Sequence, residues 1–126
     1  KDGWKSEMMG PVTSSGVIEV SSSSEYEDKF LASETGFLTP PSILIGDAMV
    51  ARGGLSVVKS LPAKFDASGL MVEQHETTSK DGTRVPYFLV RPKDAPLNGQ
   101  IPTVLSGYGG FQISETPFYL QSIGKI

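Results

Sequence analysis

Residues 70–91 read LMVEQHETTSKDGTRVPYFLVR: two β-type runs on either side of Ser79-Lys80-Asp81-Gly82. Asp-Gly between strand-like runs is a hairpin signal, because a type I′ turn takes positive φ at both central positions and these two residues tolerate it. The stretch therefore predicts an antiparallel hairpin, Leu70–Thr78 against Thr83–Arg91, closed by a type I′ turn at Asp81-Gly82. The run Val85-Pro86-Tyr87-Phe88-Leu89-Val90 is apolar at both odd and even positions, which predicts that it is largely buried in a helix-covered sheet and left exposed where such helices are lacking. Pro86 has no amide hydrogen and should stand at an edge or a bulge. After a polar connection over 92–100, Pro102-Thr103-Val104-Leu105 is expected as a third strand, ending abruptly in Gly107-Tyr108-Gly109-Gly110-Phe111.

Upstream, short apolar runs alternate with turn residues. Val17-Ile18-Glu19-Val20, Ser42-Ile43-Leu44-Ile45 behind Thr39-Pro40-Pro41, and Leu55–Leu61 between Gly53-Gly54 and Pro62 all read as strands. This spacing suggests an antiparallel meander, as in a sandwich or a propeller blade. Residues 24–34 stay open between helix and strand. Ser24-Glu25-Tyr26-Glu27 is a formal capping box with Phe30 and Leu31 at helical spacing, yet the Ser21–Ser24 run and Gly36 argue against a helix. The texture changes between Pro62 and Gly69, where a boundary is expected.

Composition excludes several classes of function. The chain has 126 residues, 38% hydrophobic and 20% charged, with 14 glycines and 9 prolines, which describes a turn-rich globular segment. It contains no run of 18 apolar residues, so no membrane-spanning helix is expected. Eleven basic against fourteen acidic residues, with no basic stripe, make nucleic acid an unexpected partner. Absence of cysteine removes disulfides and thiolate metal sites, and the single histidine, His75, removes multi-histidine ones. No metal or cofactor is expected. The chain starts at Lys1 and stops at Gly124-Lys125-Ile126, directly after an apolar segment, so both ends are expected to continue into a longer polypeptide.

The glycine cluster falls short of two nucleotide-binding motifs. A dinucleotide fingerprint needs a third glycine where Gln112 stands, and no Lys-Ser/Thr pair follows to make a phosphate loop. A tight turn explains the glycines on structural grounds alone. The order of elements suggests more. A hairpin, a further apolar strand and then a Gly-rich turn carrying an aromatic is how an α/β-hydrolase opens, and there the loop after the third strand supplies oxyanion-hole donors. Tyr108 is a candidate donor, since a phenol with pKa near 10 keeps its proton at neutral pH.

The stretches Phe65-Asp66-Ala67, Glu73-Gln74-His75, Thr78 to Thr83, Pro86 to Val90 and Gly107-Tyr108-Gly109-Gly110-Phe111, with Pro117 and Tyr119 beyond them, together resemble the prolyl oligopeptidase family of serine peptidases. The resemblance is dense over 61–119 and looser over 30–60, where Phe37-Leu38-Thr39-Pro40-Pro41 looks like the last propeller blade, and faint over 1–29. It implies a mostly β chain: terminal blade strands of a β-propeller in residues 1–65, then the first strands of an incomplete α/β-hydrolase peptidase domain in 66–126. It also implies that Tyr108 is the hydroxyl donor of an oxyanion hole and that Phe111, with Gly109 and Gly110, forms part of the substrate site. Ser106 departs from the pattern, many relatives having tyrosine there, and the chain after Tyr119 does not clearly continue it.

The resemblance further implies a short peptide cut after proline, the rest of the polypeptide as folding partner, and a cytoplasmic setting, with periplasmic or secreted alternatives open. No G-x-S-x-G occurs; Gly54-Leu55-Ser56-Val57-Val58 lacks the closing glycine. In hydrolase order the nucleophile, acid and histidine all follow the third-strand loop, so they would lie beyond Ile126 and the chain alone should be inert. His75 precedes that loop and is read as structural, Asp81 as a turn residue, Ser68 and Ser79 as loop residues, and Glu25, Glu27 and Asp28 as a solvated face. Two alternatives remain: an oligopeptidase selecting basic residues or acyl-peptides, and a non-catalytic β-rich binding module whose Gly-rich turn is only structural.

Overall fold

The structure is a computed structural model that describes residues 3, 5, 6, 16–50 and 54–125. Among the described residues six strands form two antiparallel sheets. Strands β1 (Gly16–Ser23), β2 (Lys29–Gly36), β3 (Ser42–Asp47) and β4 (Ser56–Ser60) pair in chain order, and β5 (Leu70–Thr78) pairs with β6 (Arg84–Pro92). The meander expected from the turn spacing is the observed order. The chain is mostly β, with a 3₁₀ turn at Ile123–Lys125.

Residues 24–34 resolve in favour of strand. The Ser24 hydroxyl accepts from the Tyr26 amide at 3.1 Å, a local turn that ends β1 instead of capping a helix. From Lys29 onward burial alternates: Phe30 and Ala32 are buried while Lys29 and Leu31 are exposed, the period of two that a sheet with one packed face imposes. Phe30, Ala32 and Leu44 form the core of the four-stranded sheet, with Leu55 packed against them. Register explains the fit. Ala32 stands opposite both Val20 and Leu44, and Phe30 stands opposite Gly46, whose bare Cα leaves room for the ring. Burying a side chain of Phe30's size contributes roughly 1.5–3 kcal/mol. At the outer edge the Ser42 hydroxyl bonds to Ser60 at 2.8 Å and donates to the Pro40 carbonyl at 3.0 Å, which ties β3 to β4 and to the Pro-Pro entry.

Three expectations about the second half need correction. The hairpin closes with a three-residue loop and not a type I′ turn. Gly82 N–H donates to the Ser79 carbonyl at 3.0 Å, Ser79 N–H donates to the Thr83 carbonyl at 2.8 Å, and of the turn residues only Gly82 has positive φ, at 87°. That is a type I turn followed by a bulge glycine, the other common solution to the same twist requirement. Asp81 selects it by accepting from the Thr83 amide at 3.0 Å and from the Ser79 hydroxyl. Second, the burial of β6 that its apolar run alone suggests reaches only one end, in keeping with the exposure expected of a hairpin without covering helices: Val85 and Tyr87 are 42% and 45% exposed, and only Phe88 to Arg91 are half-buried. Two strands with no helix against them cannot cover both faces. Third, Pro102–Leu105 forms no strand, and Val104 and Leu105 are 84% and 96% exposed, because nothing among the described residues pairs with them.

The two sheets are joined by aromatic contacts. Phe37, at the end of β2, packs edge-on against Phe88 of β6 and Phe118, with ring centroids 5.2 and 5.8 Å apart. Residues 117–120 run back across the connection between β4 and β5. Leu120 N–H donates to the Phe37 carbonyl at 3.1 Å, and the buried Tyr119 stacks on Phe65 at 5.4 Å while its hydroxyl accepts from the Lys64 amide at 2.8 Å.

Candidate active-site loop

The glycine-rich segment lies in the open stretch between β6 and the Pro117–Leu120 crossing. It reverses direction at Gly110–Ile113, where the Ile113 amide donates to the Gly110 carbonyl at 3.1 Å. The two central residues, Phe111 and Gln112, have φ of 54° and 56°. Both are left-handed, the type I′ pattern, at roughly 1–2 kcal/mol per residue for side chains that carry a Cβ. Gly107, Gly109 and Gly110 all lie outside the positive-φ region, so the sharpest bend falls on the residues after the glycines. Phe111 is 90% exposed at the tip, and Tyr108 is half-exposed with its ring folded back over Gly110.

Tyr108, Gly109, Gly110 and Phe111 are thus brought onto one loop, but not into a cavity. An open groove of about 530 Å³ exists elsewhere, between the outer face of the four-stranded sheet (Val17, Ile43, Lys59) and residues 116–118, and none of the four loop residues lines it. The remaining polar candidates are spread out. His75 stacks on Tyr87 at 5.4 Å, and its Nε2 lies 3.8 Å from Glu73. Asp81 serves the hairpin turn; its hydrogen bond from Ser79, helped by the Thr83 amide, lowers its pKa to about 2. Ser79 is its partner in that turn, and Ser68 donates its amide to Asp66 at 2.9 Å, which holds the Asp66 carboxyl below its ordinary range. Among the described residues no group of three His, Cys, Asp or Glu side chains gathers to hold a metal.

Two features were not legible from spacing. Arg91 grips Glu73 through two bonds, Nε–Oε2 at 2.8 Å and Nη2–Oε1 at 3.2 Å, and its guanidinium holds the Glu73 carboxyl below the ordinary range. These residues are diagonal neighbours, since Glu73 stands directly opposite Leu89, so the hairpin register would have shown the pair. The Tyr119–Lys64 bond spans 55 residues and left no local signal.

No family model matches the chain. Individual relatives do. An uncharacterised peptidase of Sinorhizobium fredii is 45% identical over all 126 residues, which make up 17% of that protein. The prolyl endopeptidase of Elizabethkingia meningoseptica is 36% identical over 85 residues, 68% of this chain and 12% of that enzyme. The chain belongs to the prolyl oligopeptidase family. Solved members of the family share its fold. A post-proline cleaving enzyme from Rickettsia typhi superposes with a TM-score of 0.63 at 33% identity, over 82% of this chain and 14% of that one. Prolyl oligopeptidase B from Galerina marginata, bound to a 35-residue hydrolysis and macrocyclisation substrate, gives 0.66 at 28% identity, over 82% and 15%. The antiparallel sheets match part of the family's β-propeller. The chain spans about one-sixth or less of the length of these relatives. The full-length match to the Sinorhizobium peptidase also takes in residues 1–29, where the motif resemblance alone was faint.

Proposed function

We propose that this chain is the junction segment of a serine peptidase that cleaves short peptides after proline, with the last propeller blade in residues 1–65 and the start of the peptidase domain in 66–126. A serine elsewhere in the polypeptide attacks the scissile carbonyl, a histidine takes its proton, and an acid orients that histidine. Tyr108 donates its phenolic proton to the oxygen that becomes negative in the tetrahedral intermediate. Phe111 lies against the substrate near its proline, and Gly109, with open space where a Cβ would stand, keeps a side chain out of the way of the approaching backbone. This reaction asks for no cofactor.

The observation that carries the reading is the Gly107–Phe111 loop, in a chain whose relatives include proteins named for cleavage at proline. Two local facts support it. The loop is open, so its donors are accessible, and Tyr108 keeps about half of its surface exposed. The bend after Gly110 spends conformational strain on two non-glycine residues, a pattern that concentrates at functional sites. The test is turnover of matched dipeptide reporters by the full-length protein. Cleavage after proline well above cleavage after arginine is expected; preference for arginine, or for an N-acylated amino acid, overturns the assigned specificity.

A further inference from the structure

The three glycines of the loop are not equivalent. Gly107 and Gly109 have nothing within 4 Å of the position a Cβ would take. At Gly110 that position is occupied: the Tyr108 hydroxyl oxygen lies 2.8 Å away, Cζ 3.0 Å and Cε1 3.4 Å. Gly110 does not have positive φ, so its backbone would accept any L-residue. The phenol, and not the backbone, is what requires a glycine there.

We propose that Gly110 is a positioning residue for Tyr108, its bare Cα forming the seat on which the phenol rests and which sets where the hydroxyl points. The inference rests on the oxyanion reading above and adds a second residue to it. The seat cannot easily retreat. Gly110 opens the turn whose next two residues are left-handed, and its carbonyl is held by the Ile113 amide. A methyl group at 110 therefore moves the tyrosine. The hydroxyl has to withdraw from 2.8 Å to an ordinary contact of at least 3.4 Å. That exceeds the roughly 0.5 Å within which catalytic groups must be held, and a misplacement of about 1 Å can cost on the order of 100-fold in rate. Because the displaced atoms are the outer end of a half-exposed side chain, the fold itself should hardly notice.

The test is a double-substitution cycle in the full-length protein, reading kcat and KM on a proline reporter together with the melting temperature. Tyr108→Phe is expected to lower kcat roughly 100- to 1,000-fold, the range for losing one oxyanion donor. Gly110→Ala is expected to lower kcat on the order of 10- to 100-fold, with KM and melting temperature close to the parent's. In the Tyr108→Phe background Gly110→Ala should add almost nothing. If Tyr108→Phe is slow but Gly110→Ala is fast, the seat is wrong and the oxyanion reading stands. If the two losses multiply, Gly110 acts independently of the phenol and the inference fails. Failure of Gly110→Ala to fold also overturns it, because a mobile phenol should give way. If Tyr108→Phe retains full kcat, the oxyanion reading itself falls.

Discussion

Removing a single oxygen atom from Tyr119 tests how the connection between the two sheets is held. Tyr119 is 6% exposed, its ring stacks on Phe65 at 15° between planes, and its hydroxyl accepts from the Lys64 amide at 2.8 Å. Tyr119→Phe keeps the stack and deletes only the acceptor. A donor stranded away from water costs about 1–3 kcal/mol, and since the Lys64 residue is itself exposed, water can partly replace the lost partner. The expected effect therefore lies at the lower end, about 1 kcal/mol, or roughly fivefold in the local opening equilibrium. Hydrogen exchange followed by mass spectrometry on peptides covering residues 61–66 reads this directly. Lys64 should exchange about fivefold faster in Tyr119→Phe, with β2 and β3 unchanged. Tyr119→Ala also loses the ring, a truncation worth about 3–5 kcal/mol, and should loosen Phe65 and the Pro117–Leu120 crossing as well. Equal Lys64 exchange in Tyr119→Phe and the parent would show that the bond does not hold the connection.

Gly46→Ala should destabilise the four-stranded sheet by about 1–3 kcal/mol, read as a lower urea midpoint, because the new methyl meets the Phe30 ring with Cε1 and Cε2 at 2.7 and 2.8 Å. Asp81 should titrate near 2 instead of its ordinary 3.8. A carboxyl whose folded pKa is depressed contributes stability that is whole above the unfolded pKa and disappears as pH falls through the folded one, so the hairpin turn should loosen between about pH 4 and 2, seen in the Thr83 amide resonance. The 126-residue chain alone should show a β-type circular dichroism spectrum, associate through open strand edges and turn over no proline reporter; a sharply melting monomer or measurable turnover would contradict this.

The strands that pack against one another were readable from the residues because each signals itself locally: short β-type runs in Val17–Val20 and Ser42–Ile45, and punctuation by Pro-Pro, Gly54 and Asp-Gly. Where local signals competed, tertiary pairing decided. The capping box at Ser24 is real as a pattern, but Phe30 and Ala32 find a packed face only as a strand between β1 and β3. Pro102–Leu105 shows the converse. Its apolar character suits a strand, yet a strand exists only where a neighbour offers hydrogen bonds, and residue type cannot report that neighbour. At the candidate site the glycine cluster announced a bend but not its location. Positive φ falls on Phe111 and Gln112, residues with no intrinsic preference for it, while Gly110 is explained by a tyrosine two positions earlier. Such through-space requirements lie in the geometry of the loop and not in its composition.

The most direct test of the proposed role of Tyr108 is single-turnover acylation of the full-length protein and its Tyr108→Phe variant with a saturating proline ester. The oxyanion account predicts an acylation rate roughly 100- to 1,000-fold lower in the variant, with substrate affinity unchanged. Equal acylation rates in the two proteins would contradict it.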